Sequence, residues 1–153
     1  MLETVAALLG SAVGAPHHKL RPLTVIGSCC LSFGLIALGV LSTLAPAFAA
    51  VTYGMPIGTG ASEAGWVTAT GMRDFGLGLS ALLLLRERPA ALPPFLVGVV
   101  LIPLADVAVT AAYGGGLLAA APHVGGVVAV GVLLAVARGD PGLRLGASES
   151  VPP

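Results

Sequence analysis

Charge is what this sequence has least of. Only 9% of its residues are Asp, Glu, Lys or Arg, where a soluble domain carries roughly 25%. Seven acids and seven bases spread over 153 residues cannot give a globule of this size a solvated surface. A water-soluble fold is therefore excluded, and the membrane class remains. The formal net charge is zero, and no basic patch or run of stacking aromatics appears, so a nucleic-acid partner is excluded too. Cysteine is equally scarce. Cys29 and Cys30 are the only two, adjacent within an apolar run; neighbours rarely bridge, so they report neither a disulfide framework nor a redox compartment.

What is present is apolar sequence, 56% of the chain, with a mean hydropathy of +1.00. It falls into four segments, each near the roughly 20 residues that a spanning helix requires. They cover about 23–44, 64–85, 95–113 and 117–137, the third opened by Pro93 and Pro94 and the fourth preceded by the "YGGG" turn at 113–116. The expected fold is all-α: an integral membrane four-helix up-down bundle over 23–138, its short connections making neighbours antiparallel. Residues 1–22 form a cytoplasmic or interfacial N-terminal segment, with a short helix over 1–14, and 139–153 a disordered cytoplasmic tail. "APAFAA" at 45–50 resembles a small-residue cleavage site, but the run before it exceeds the 7–15 residues of a signal-peptide core, so the first span is retained. Lys19, Arg21, Arg86, Arg88, Arg138 and Arg144 all flank one side of the spans, and the other two loops hold no basic residue. Both termini are therefore expected in the cytoplasm, with the chain multi-pass in the plasma membrane, or the inner membrane of a bacterium. Gly71, Gly76, Gly78, Gly98, Gly125, Gly126 and Gly131 are expected to let helices approach closely.

Within these spans lie four ionisable residues. Counted from the outer face, Arg73 and Asp74 lie about ten residues in, Asp106 about seven and His123 about six, hence roughly 9–15 Å deep at 1.5 Å per residue. Three helices thus contribute to one layer. Neighbours at i and i+1 on a helix point apart, so Arg73 and Asp74 are each expected to look to another helix, with Asp106 and His123 as partners. The set sums to −1 with His123 neutral and to zero with it protonated. Charges at this depth cost at least about 2.5–3.5 kcal/mol each on insertion scales, so they should face the bundle interior or a water-filled cavity. Helical spacing adds Thr70 and Trp66 on the Asp74 face, Glu63 at the mouth, and Thr110 and Tyr113 outward of Asp106. Trp66, Tyr53 and Tyr113 have an alternative as interfacial belt residues, which is the favoured reading for Trp66 and Tyr53. The candidate site is Arg73, Asp74, Asp106 and His123 for chemistry, with Thr70, Thr110, Trp66 and Tyr113 as binding residues.

Other constellations carry less. His17 and His18 lack a third ligand, Ser28, Ser32 and Ser42 lack a paired base, and "GLGLS" is no phosphate loop. No metal motif and no cofactor is implied. The ordered stretches "YGMP" (53–56), "GMRDFGLGL" (71–79), "LIPLADV" (101–107) and "PH" (122–123) resemble domain-of-unknown-function family 4267, small four-span membrane proteins. That pattern is carried by Gly71, Arg73, Asp74, Gly78 and Leu79, then Ile102, Pro103 and Asp106, then His123, over roughly 23–138. The resemblance implies a four-helix integral membrane fold and no particular reaction.

Three functions follow from the layer. In the first, a lipophilic small molecule enters from the bilayer and is bound or converted by acid/base chemistry, as in an isomerase or cyclase. Asp74 or Asp106 then serves as acid or base, His123 as proton partner and Arg73 as stabiliser of negative charge. In the second, the chain is a proton-linked transporter, for which so small a bundle would have to form a homo-oligomer. In the third, it is a structural or accessory membrane subunit whose charges serve assembly.

Overall fold

The computed structural model describes residues 20–54, 60–112 and 116–143. The expected helix over 1–14, the His17–His18 pair, Tyr113 and residues 144–153 lie outside them. Four long helices make up most of what is described: α1 (Pro22–Leu44), α3 (Ala61–Glu87), α4 (Leu92–Ala112) and α5 (Gly116–Arg138). A short helix, α2 (Pro46–Thr52), follows α1 directly, and a 3₁₀ turn at Pro89–Ala91 leads into α4. Proline sets these starts. Pro22 and Pro46 stand at the first positions of α1 and α2, where the missing N–H has no intrahelical partner to lose. Pro103 and Pro122 lie inside α4 and α5, each removing a backbone hydrogen bond just before Asp106 or His123.

Among the described residues, three segments are long and apolar enough to cross a membrane: Pro22–Leu44, Pro89–Ala112 and Leu117–Arg138. The described fold is all-helical, and these segments mark a membrane protein. The remaining expected segment, 64–85, lies in the longest described helix, α3, at 27 residues. That helix is not among the three because Glu63, Arg73, Asp74, Arg86 and Glu87 all fall within it and lower its hydropathy.

Small residues decide which helices touch. α1 packs antiparallel on α3: Ser42 meets Gly71, Gly39 meets Phe75, and Ser32 and Ile36 meet Gly78. A Cβ on Gly71 would overlap the Ser42 side chain, and one on Gly78 would stand 2.6 Å from the Ser32 carbonyl oxygen. Gly27 likewise admits Leu133 of α5, and Gly126 of α5 receives Pro103 of α4. Of the glycines expected at interfaces, Gly71, Gly78 and Gly126 are there, whereas Gly76, Gly98, Gly125 and Gly131 have open space around them. Sequence alone does not assign a glycine to the inner or outer face of an all-apolar helix. Leu92, Leu96 and Val99 of α4 form the main apolar core with Val130, Leu133 and Ala137 of α5 and Leu143 beyond it. Large apolar side chains such as Phe33, Leu101, Leu117 and Val128 point outward, the surface that a bilayer covers.

Residues 139–143, expected to begin the disordered tail, instead fold back onto the start of α1. Asp140 and Leu143 are buried. The Asp140 carboxylate accepts hydrogen bonds from the Arg21 backbone N–H (2.8 Å), the Thr24 hydroxyl (2.6 Å) and the Gly142 backbone N–H (2.9 Å). It thereby ties together residues 119 positions apart. With Pro141 next and Gly142 donating to its side chain, Asp140 has the form of a helix N-cap. Burial alone would raise its pKa, but the Thr24 and backbone donors outweigh it and hold the carboxyl below its ordinary value.

Two stability predictions follow. Gly71→Ala should lower the melting temperature in detergent through overpacking worth about 1–3 kcal/mol, while Gly76→Ala, with nothing near it, should be neutral or slightly stabilising. Asp140→Ala should lose about 2–3 kcal/mol, since it removes hydrogen bonds to a charged group and strands the buried Thr24 hydroxyl. Because the folded-state pKa of Asp140 is depressed, its contribution is complete above the unfolded carboxylate pKa and is lost as pH falls through the folded one. Melting temperatures followed to acid pH should converge for wild type and Asp140→Ala.

Candidate functional site

The layer assembles where α3, α4 and α5 meet beneath α2. Asp74, only 5% exposed, sits at its centre. The Arg73 guanidinium donates to Asp74 Oδ1 through Nε (3.1 Å), and a terminal nitrogen lies 3.0 Å from the same oxygen as an ion pair. This corrects the expectation that neighbours on one helix cannot pair. The arginine stem is long enough to curl back, so backbone direction does not fix where its guanidinium ends. The same terminal nitrogen is 3.9 Å from Asp106 Oδ2, an ion pair without a hydrogen bond. Asp74 turns its other oxygen to Tyr53, whose hydroxyl donates to Oδ2 at 2.8 Å.

Tyr53 is the site residue that the sequence reading did not assign. It ends α2, a helix inside what had been read as a plain outer loop. Its hydroxyl also lies 3.3 Å from the Ser42 hydroxyl, which in turn donates to the Leu38 carbonyl. Burial pushes the Tyr53 phenol up to about 12; the Ser42 contact lowers it, and donation to Asp74 with that carboxylate's charge raises it. It therefore stays a proton donor. What docks it is Gly54, the one described residue with a positive φ, 74°. A Cβ there would collide with the Ala119 backbone of α5, so only glycine lets the chain lie flat on that helix. One turn further along α5, His123 Nε2 meets the Tyr53 carbonyl oxygen at 2.9 Å. The stretch "YG" at 53–54 was among the residues carrying the family resemblance, and that was the available signal.

A carbonyl oxygen can only accept, so His123 Nε2 carries the hydrogen. In the neutral ring Nδ1 is then a bare acceptor. It faces Asp106 Oδ2 at 3.6 Å, and among the described residues it has no hydrogen bond. Two acceptors thus confront each other, on a His123 side chain 7% exposed and an Asp106 side chain 31% exposed. This pair lines a cavity of about 300 Å³ together with Arg73, Thr70 and Tyr53. Glu63 and Trp66 line the same cavity, though Trp66 is 78% exposed and so also presents a face to the surroundings.

Asp74 does not line that cavity. It borders a second recess of about 190 Å³, walled mainly by aliphatic side chains, which shares Tyr53, Arg73 and Asp106 with the first. Thr110 lines neither; it is buried with its hydroxyl unpartnered. Ser28 and Ser32 are likewise buried without partners among the described residues. Among the described residues, no three His, Cys, Asp or Glu side chains gather in a way that could hold a metal ion.

No curated protein and no solved structure matches the chain. A family model does, described as domain of unknown function (DUF4267), over residues 32–137. That stretch runs from the middle of α1 to the end of α5 and includes every residue of the charged layer. The chain belongs to the DUF4267 family.

Proposed function

We propose that the four long helices form a four-span up-down bundle with both termini in the cytoplasm, and that its outward pocket binds a lipophilic small molecule entering from the bilayer. Asp106 and His123 are the acid/base pair of this pocket, suited to isomerisation or cyclisation, and Arg73 stabilises negative charge developing on the ligand. Among the described basic residues outside the layer, Arg21 precedes α1, Arg86 and Arg88 follow or end α3, and Arg138 ends α5. Given antiparallel neighbours, these positions share one side, and that asymmetry supports a cytoplasmic location for it. The 27 residues of α3 span roughly 40 Å at 1.5 Å each, enough to cross despite its charges, of which Arg73 and Asp74 pair with each other and Glu63, Arg86 and Glu87 lie near its ends.

The observation that carries the functional reading is the confrontation of Nδ1 and Oδ2 at 3.6 Å on a cavity wall. A structural ion pair would close this distance to a hydrogen bond. Here the closed pair is Arg73–Asp74, and the open one faces the cavity. Asp74 thereby becomes the positioning residue, holding Arg73 and Tyr53, and Asp106 the residue that meets the ligand.

Two experiments test this. A C-terminal fluorescent-protein fusion should be bright, and alkaline phosphatase inserted at residue 114 should be active; the reverse pattern would invert the bundle. Native mass spectrometry of the purified protein should find a defined small molecule retained by wild type and lost from a folded Asp106→Asn variant. Asp74→Asn should lower stability by about 1–3 kcal/mol, because it unpairs Arg73 and Tyr53. If wild type carries only bulk lipid and both variants lose stability alike, the layer serves assembly instead.

A further inference from the structure

Taking the outward pocket as a binding site, we infer that its ligand is a lipophilic alcohol: one hydroxyl held between Arg73, Asp106 and His123, and a compact apolar body in the adjoining recess. The inference rests on the proposed binding role and goes on to name the head group. Three unfinished contacts converge at this point. With the His123 ring neutral, Nδ1 and Asp106 Oδ2, 3.6 Å apart, both lack a donor among the described residues. Arg73, with 39% of its side chain exposed, has donors that the single Asp74 oxygen it meets leaves unused, and Asp106 at 3.9 Å is too far to take one.

A group that both donates and accepts bridges this set, and a hydroxyl does so through a single atom. Its one hydrogen goes between Asp106 Oδ2 and His123 Nδ1, parting the two acceptors, and its oxygen accepts from Arg73. An ether offers no donor and would leave the two acceptors facing each other. A carboxylate would bring a further negative charge to Asp106, with Glu63 on the same cavity wall. An ammonium would satisfy Asp106 but lie against the Arg73 guanidinium and give it nothing to donate to.

The body of the ligand is placed by the second recess. Tyr53, Arg73 and Asp106 border both cavities, so a group bound at them has the recess directly behind it. Leu35, Leu38, Leu77, Val99, Ile102 and Val130 line that recess. At about 190 Å³ it suits a compact cyclic or branched hydrocarbon better than a long acyl chain.

Trp66, the sole tryptophan, lines the outer cavity and reports occupancy by its fluorescence. Wild-type protein in lipid nanodiscs would be titrated with four probes of one caged hydrocarbon body: 1-adamantanol, 1-methoxyadamantane, 1-adamantylamine and 1-adamantanecarboxylate. The alcohol should bind saturably and at least about ten-fold tighter than the ether, since the lost donor leaves the Asp106–His123 acceptors unpaired. The amine should be weaker than the alcohol, and the carboxylate weakest. Asp106→Asn, folded by its melting temperature, should flatten the alcohol-to-ether ratio. An ether equal to the alcohol, or an amine tighter than it, would overturn the hydroxyl assignment and leave the pocket standing. Saturable binding by none of the four would overturn the pocket as well. The head-group order in wild type decides the matter even if Asp106→Asn does not fold.

Discussion

An ionised carboxylate inside an apolar bundle has to be given back what water supplied. Unpaired, it costs several kcal/mol; paired and fully hydrogen-bonded, it becomes tolerable. Asp74 meets this condition with two guanidinium contacts on one oxygen and a tyrosine hydroxyl on the other. Much of the outer half of the fold can be read as the means of delivering those donors. Tyr53 must descend to Asp74, so α1 is followed at once by a short helix that turns the chain inward. That helix must end against α5, so residue 54 is glycine. α1 and α3 must lie close enough for Ser42 to sit beside the Tyr53 hydroxyl, so Gly39 and Gly71 face each other's helices.

The same requirement divides the layer into a closed half and an open half. Satisfying Asp74 uses one face of the Arg73 guanidinium and the Tyr53 hydroxyl. Tyr53 also fixes His123, through its backbone carbonyl rather than its side chain. That contact settles which imidazole nitrogen carries the hydrogen and leaves Nδ1 aimed at Asp106. The structural half thus determines the tautomer of the chemical half. Asp106 itself receives no hydrogen bond from either partner, and it borders both cavities.

Much of this was legible in the chain, and the rest was hidden for identifiable reasons. Scarcity of charge placed the protein in the membrane class, and counting residues from the span ends brought Arg73, Asp106 and His123 to one depth; all three line one cavity. Rise per residue is a backbone property, so depth survives small errors in helix ends. Direction does not. The i, i+1 argument failed for Arg73 because a long side chain is not bound by the angle at its Cα. Thr110 has the right depth and helical offset yet faces neither cavity, since its rotation about the helix axis depends on packing that hydropathy does not encode. α2 escaped notice because seven residues are too few for a periodic signal, and with it went the role of Tyr53. Asp140 escaped because its meaning lies in partners more than a hundred positions away.

The two ends of the bundle answer one problem in opposite ways. At the end proposed to be cytoplasmic, Asp140 has both oxygens committed to donors from residues 21, 24 and 142, and nothing remains to be offered. At the outer end, Asp74 is similarly committed, but Asp106 and His123 are not. A bundle selected only for stability would be expected to close both ends, because an unmet acceptor as buried as His123 Nδ1 costs about 1–3 kcal/mol. The fold demonstrably can build a saturated carboxylate, and does so twice. An unsaturated pair on a cavity wall, beside an arginine with donors to spare, is therefore better explained by something that completes it than by imperfect packing. That contrast within one chain is the strongest physical reason to look for a ligand at Asp106.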